Sequence, residues 1–256
     1  MDEKKAPTIM ESLKIDLLKN KWVARLLFLA IFLIRSITRL YPVGDPNFSH
    51  VEKWYAQYRE LGPAQAASLG LPPFTAGNFL FRGFEILLFF IFIFMGLLYL
   101  AIYLSDKVEM SAGSAFMRYF KRLPALMFFV FALSSIFAVP LLMIPPLAFL
   151  ILAPLALAPS LIIQEQMNSI NAALASIKKT TGIKLPIFLT LLIHGLFFFS
   201  LNFFVALLMD PTIKPFYFIE GFMVAFYVLS LSRLVGIVYD ISEAREKASG
   251  NTEPHV

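Results

Sequence analysis

Six stretches of this chain are apolar over about the length that a helix needs to cross a lipid bilayer. A hydrocarbon core about 30 Å thick takes roughly twenty residues at a rise of about 1.5 Å each. The qualifying windows are Trp22–Tyr41, Phe84–Leu104, Leu123–Ile144, Pro146–Ile163, Leu185–Met209 and Pro215–Tyr239. A soluble domain would have to hide all of them in one core. With 28 phenylalanines, 59% hydrophobic and only 15% charged positions in 256 residues, that core cannot be closed against water. Residues 1–256 therefore read as a single polytopic unit, an all-α integral membrane protein of six transmembrane helices.

Basic residues set the orientation, because Lys and Arg stay on the cytoplasmic side of short loops. Placing the N-terminus inside keeps Lys4, Lys5, Lys14, Lys19, Lys21, Lys107, Arg118, Lys121, Arg122, Lys178, Lys179, Lys184, Arg245 and Lys247 in the cytoplasm and leaves Lys53, Arg59 and Lys214 outside. Both termini are then cytoplasmic, residues 241–256 form an inner tail, and residues 43–78 form the long outer loop, expected to be irregular with one short helix. The polar residues before the first apolar run, with no small-residue cleavage site after it, predict that the first span is retained. The formal charge of +5 reflects this sidedness, and no basic-aromatic module for nucleic acid is present.

Each outward span is preceded by an amphipathic stretch. Thr8 and Glu11 have capping-box spacing ahead of Leu13, Leu17 and Leu18. Ser111 or Ser114 can cap a helix that sets Ala115, Phe116, Tyr119 and Phe120 against Arg118, Lys121 and Arg122. A third stretch starts near Ser169, carries Ile170, Ala173, Leu174 and Ile177 at helical spacing, and stops at Gly182. Such helices lie in the membrane interface. The steps Leu123-Pro124 and Leu185-Pro186 mark the starts of two spans, where proline lacks no needed donor. The pattern predicts three parallel repeats of interfacial helix and helical hairpin, at 8–104, 111–164 and 169–240.

Residues 105–204 carry Ser111-Ala112-Gly113-Ser114-Ala115-Phe116, then Ala158-Pro159-Ser160-Leu161-Ile162-Ile163, then the run Asn171-Ala172-Ala173-Leu174-Ala175-Ser176-Ile177-Lys178-Lys179-Thr180-Thr181-Gly182. This stretch resembles a group of bacterial six-helix membrane proteins that includes the membrane domain of some glycerophosphodiester phosphodiesterases. The resemblance implies a membrane-domain architecture in a bacterial cytoplasmic (inner) membrane. It implies no activity here, since the soluble catalytic domain of that family has no counterpart in these residues.

Charged side chains at membrane depth cost about 2.5–3.5 kcal/mol at a helix centre, so each one needs a reason. Arg35 and Arg39 share a face near the outer end of the first span, Arg82 and Glu85 flank the start of the second, and Glu220 lies one turn into the sixth. One reading is an outward pocket in which Arg35, Arg39 and Arg82 hold an anionic headgroup while Glu85 and Glu220 orient them. The plainer reading, favoured because each lies within about 9 Å of a helix end, is that they snorkel and pair with one another or with lipid phosphates. His194 sits near the midplane of the fifth span, where imidazole can relay protons or, more plainly, bond a neighbouring carbonyl. Pro154 and Pro159 in the fourth span free the carbonyls of Leu150 and Leu155, for which His194 is a candidate donor; the plainer role is packing. Arg233 snorkels inward without a chemical role. The small-residue steps Ser134 to Ala138 and Gly221 to Ala225 permit close helix packing.

No cysteine, P-loop, dinucleotide fingerprint or nucleophile elbow occurs, and His50, His194 and His255 are too scattered to make a metal site by spacing. No catalytic residue, metal or cofactor is assigned. The expectation is a noncatalytic membrane protein assisting envelope or lipid processes, with anionic membrane lipids and a membrane protein as partners. The alternative is a small-solute or lipid transporter that uses the proline-broken helix and His194.

Overall fold

The computed structural model describes residues 9–66, 69–143, 145–210, 213–248 and 250, with side chains described outside 62–66, 137–143 and 145–148. Thr8, Ile144 and the tail beyond Gly250, with His255, lie outside the described residues, as does the side chain of Ala138. Helix makes up 82% of the chain and no strand occurs among the described residues, so the fold class is all-α.

The elements in order are α1 (Ile9–Ser12), α2 (Lys21–Leu40), α3 (Ser49–Ala66), α4 (Ala76–Lys107), α5 (Ala112–Met143), α6 (Pro145–Leu155), α7 (Ala158–Gln164), α8 (Ser169–Lys179), α9 (Lys184–Leu208) and α10 (Lys214–Ala248). Among the described residues four helices are long and apolar enough to cross a membrane: α4, Ala112–Ile136 of α5, α9 and α10; Phe149–Gln164 is a shorter apolar segment. The first expected span differs because Lys21, Arg25, Arg35 and Arg39 all fall within the twenty residues of α2. The fourth is two helices, parted at Ala156 and Leu157.

Helix α10 is the hub, packed against α1, α2, α4, α7 and α9. Small residues make this possible. At Gly221 a side chain would collide with Ser36 Oγ and sit 2.9 Å from Phe32 O, so α2 and α10 meet there almost backbone to backbone, and Ala225 below it is fully buried. Gly96 of α4 lies against Val228 and Ser232 in the same manner. The apolar windows of α4 and α10 are 50% and 56% buried, compared with 22% for α5 and 17% for α9. Helices α5 and α9 thus leave much apolar surface exposed, including Phe128, Phe203, Phe204 and Leu207.

Polar contacts join the helix ends at two poles. At one, Asn20 before α2 donates to Asp106 near the end of α4 (3.1 Å), and Lys107 pairs with Asp240 of α10 (3.2 Å). There too Arg118 of α5 donates to Gln164 at the end of α7 (2.8 Å), and Arg245 of α10 donates to Thr181 O ahead of α9 (3.2 Å). Consecutive long segments therefore run in alternating directions.

The three expected repeats take three different local forms. Residues 13–20 are turns rather than an amphipathic helix. The second stretch merges into α5, which runs straight through Pro124 instead of starting there. Only the third is a separate helix, α8, capped by Asn168 (Asn171 N to Asn168 Oδ1, 2.8 Å) and stopped at Gly182, whose φ is +82°. Its apolar stripe, Ile170, Leu174 and Ile177, faces away from the protein, while Ala172 and Ser176 pack inward. Leu185-Pro186 does fall in the first turn of α9, as expected. The loop expected to be irregular holds the 18-residue helix α3.

Candidate functional site

At the pole opposite to Asp106 and Asp240, three helices bring four charges together. Spacing of i, i+4 stacks Arg35 and Arg39 on one face of α2, and the close approach at Gly221 carries the adjacent Glu220 of α10 up against them. Arg35 donates through Nε and Nη2 to Glu220 Oε1, at 3.1 and 2.7 Å, and through Nη1 to both oxygens of Glu85, at 3.1 and 2.9 Å. Arg39 donates through Nε to both oxygens of Glu220 (3.1 and 2.9 Å) and through Nη2 to Oε1 (3.0 Å). Two guanidinium groups and two carboxylates leave no net charge. Side-chain exposure is 12% for Arg35, 10% for Glu220 and 23% for Glu85, but 35% for Arg39, which makes Arg39 the open edge of the network.

The start of α4 sets the depth of Glu85. Thr75 and Asn78 form a reciprocal capping box, each backbone N–H donating to the other's side chain at 3.1 Å. Asn78, fully buried, also donates to Asp45 O (2.9 Å) and Asn47 O (3.0 Å), which binds the incoming loop to this helix end. The turn needs glycine at position 44, where φ is +88° and a Cβ would sit 2.5 Å from Gly77 O.

Arg82, expected in the same cluster, lies elsewhere. Its guanidinium sits over the ring of Phe48, 4.7 Å from the centroid, on an exposed part of the surface.

His194 is fully buried on α9 between Phe198 and Tyr227, with ring centroids at 5.0 and 5.5 Å. Its Nε2 lies 3.0 Å from Ser230 Oγ of α10, while Nδ1 is buried with no hydrogen-bond partner among the described residues. His194, the expected donor to the carbonyls of Leu150 and Leu155, bonds Ser230 instead, and the polar groups bridged in the fourth segment are Pro154 O and Leu157 N. Pro154 lies inside α6, and Pro159 lies in the first turn of α7, where its missing N–H costs little. Ser176 of α8 closes the gap between the two helices: its hydroxyl donates to Pro154 O (2.7 Å) and accepts from Leu157 N (3.2 Å). Thr180 Oγ1 lies 3.4 Å from the same carbonyl. The small inward face of α8 is the only hint of this in the sequence.

Two further features escaped sequence reasoning. Lys179 of α8, 14% exposed, binds Glu165, Glu243 and Glu246 at 3.0, 2.9 and 3.1 Å. Burial alone would lower its pKa, but the hydrogen bonds to the three glutamates outweigh that and hold it above the ordinary lysine range. Arg233, read as snorkelling, is instead 9% exposed and turned toward residues 9–20, donating to Glu11 O (2.9 Å) and Leu17 O (3.1 Å). Comparison with family models, with curated proteins and with solved structures finds no match to this chain.

Proposed function

We propose that this chain is a noncatalytic protein of a bacterial cytoplasmic membrane that assists envelope or lipid processes, and that its outer charged cluster contacts an anionic lipid headgroup. The observation that carries the reading is the graded exposure of the cluster. Arg35, Glu85 and Glu220 are mutually saturated and act as a frame, whereas Arg39 keeps a solvent-facing edge and Arg82 stands exposed on the same side of the chain. A phosphate approaching from the headgroup layer would meet guanidinium donors held at a set depth. In this reading α2 and the α6–α7 pair complete six crossings with both termini cytoplasmic. Support comes from the alternating directions of the segments and from the pole at which Lys19, Lys107, Arg118, Lys179 and Arg245 gather. The outward apolar stripe of α8 fits a helix lying in the inner interface.

Native mass spectrometry from detergent tests this directly. The wild-type chain is expected to retain an anionic phospholipid, Lys53→Ala to retain it equally, and Arg39→Ala with Arg82→Ala to lose it. Equal retention in all three would reduce the arginines to nonspecific snorkelling. Transport is the second reading, motivated by the unpartnered Nδ1 of His194 beside a broken helix. Solute or lipid flux in proteoliposomes that His194→Ala abolishes would replace the accessory role.

A further inference from the structure

Residues 9–20 enter the bundle between α4 and α10 largely without regular structure, after the single turn of α1. Non-helical backbone at this depth needs donors for its carbonyls, and buried side chains supply them. Arg233 Nε donates to Glu11 O (2.9 Å), Arg233 Nη1 to Leu17 O (3.1 Å), and Tyr99 Oη, fully buried on α4, to Ile15 O (2.8 Å). The face of Tyr103 lies against the guanidinium, 5.3 Å from its centroid. Carboxylates also lie near this mouth: Asp16 of the segment itself stands close to Tyr99, Asp106 accepts from Lys19 N (2.8 Å) and Asn20 Nδ2 (3.1 Å), and Asp240 holds Lys107 (3.2 Å) and accepts from Tyr103 Oη (2.7 Å).

Three convergent donor atoms, two of them on the cationic guanidinium, thus face three neutral backbone carbonyls. A guanidinium bonded to an anionic oxygen forms shorter hydrogen bonds of roughly twice the strength. The segment supplying the carbonyls encloses Leu18 and Ser12 and half-buries Ile9, Leu13 and Ile15, whereas Met10 is 70% and Leu17 54% exposed. Its internal bonds are isolated turns such as Lys14 N to Glu11 O (3.4 Å). It is held at its end by Asp106 and Leu18 and along its length by the donors it covers.

We propose that residues 9–20 are a displaceable plug seated in an oxyanion site formed by Arg233 and Tyr99, and that a phosphate-type anion exchanges with the plug. The carbonyls of Glu11, Ile15 and Leu17 stand in for the oxygens of that anion. The site lies at the opposite pole from the Arg39 edge and is independent of the headgroup proposal.

The chain has no cysteine, so one introduced thiol reports on the plug without background. In Ser12→Cys the thiol replaces a fully buried hydroxyl and becomes reactive toward maleimide only when the segment lifts. The full-length variant in zwitterionic nanodiscs is labelled with and without inorganic phosphate, and separately in nanodiscs containing a lipid phosphate monoester. Saturable acceleration of about tenfold, equal to a shift of roughly 1.4 kcal/mol in the opening equilibrium, is expected with the anion that fits. Acceleration by free phosphate identifies a soluble ligand, and acceleration only by the lipid identifies a headgroup. Tyr99→Phe in the same background removes one donor and is expected to raise basal labelling while weakening the response to the anion. Labelling that neither anion changes overturns the proposal. So does an acceleration of unchanged size and midpoint in Tyr99→Phe and Arg233→Gln, because it would come from charge screening.

Discussion

Arg35 and Glu220 lie 185 positions apart in the chain, yet the closest bond between them, Nη2 to Oε1, is 2.7 Å. Both side chains are nearly enclosed, at 12% and 10% exposure, so neither can turn to water if the other is lost. Removing one partner of a buried pair costs about 3–5 kcal/mol because the survivor is stranded. Arg35→Ala is expected to lower the thermal midpoint in detergent far more than Lys53→Ala does. Replacing Arg35, Glu85 and Glu220 together by apolar residues of similar size should recover part of the loss. A midpoint within error of wild type in Arg35→Ala would show that the network carries no stability.

The contact that sets this register is steric. Gly221→Val places bulk where Ser36 Oγ and Phe32 O already stand. Overpacking of this sort costs about 1–3 kcal/mol. Ser36→Ala alone is expected to be mild, and combined with Gly221→Val it should relieve only part of the cost, since the carbonyl of Phe32 stays in place. Full rescue by Ser36→Ala would mean that the backbones are not in contact.

Ser176→Ala is a small change with a specific cost. It leaves Pro154 O and Leu157 N at the α6–α7 break without the hydroxyl that serves both. A buried unsatisfied group costs roughly 1–3 kcal/mol. Hydrogen exchange is expected to accelerate at the Leu157 amide in this variant and not in Ser135→Ala, whose hydroxyl bonds only within its own helix. Unchanged protection at Leu157 would refute the bridging role.

Lys179 sets a pH window. Folding raises it above its ordinary 10.5, so the contribution of its charge is complete below that pH and is lost as pH climbs through the raised value. The stability difference between wild type and Lys179→Met is expected to be flat from about pH 7 to about 10 in its lysine component and to shrink above that. Denaturation of both chains across this range, in one detergent, measures it. A difference that collapses between about pH 7 and 9 would contradict the raised value.

The crossing of α2 decides between an odd and an even assignment of the first loop. With six crossings, Lys14→Cys and Arg59→Cys lie on opposite sides of the membrane. A membrane-impermeant maleimide applied to spheroplasts is expected to label only Arg59→Cys until the membrane is opened. Labelling of both, or of neither, would leave α2 on one face of the bilayer.

Hydropathy and the interruption of the fourth segment near its prolines follow from neighbouring residues, and these were legible along the chain. The all-helical class, the four long apolar helices, α8 with its stop at Gly182, and the close packing at Gly221 and Ala225 all have local causes. Arg35, Arg39, Glu85 and Glu220 could be placed at one depth, because depth is counted in residues from a helix end. Which guanidinium meets which carboxylate could not, because that depends on how α2, α4 and α10 are rotated about their axes. Arg82 shows the difference: it has the right depth and the wrong azimuth, and it ends on Phe48 instead of Glu85.

The sequence by itself determined what kind of solvent this chain needs, since the transfer of each side chain into lipid is nearly independent of its distant neighbours. Only the tertiary structure decided the partners of Arg233, Ser176 and Tyr99, because each donates to a backbone carbonyl. Every residue carries such a carbonyl, so no residue type marks the acceptor, and packing alone selects it.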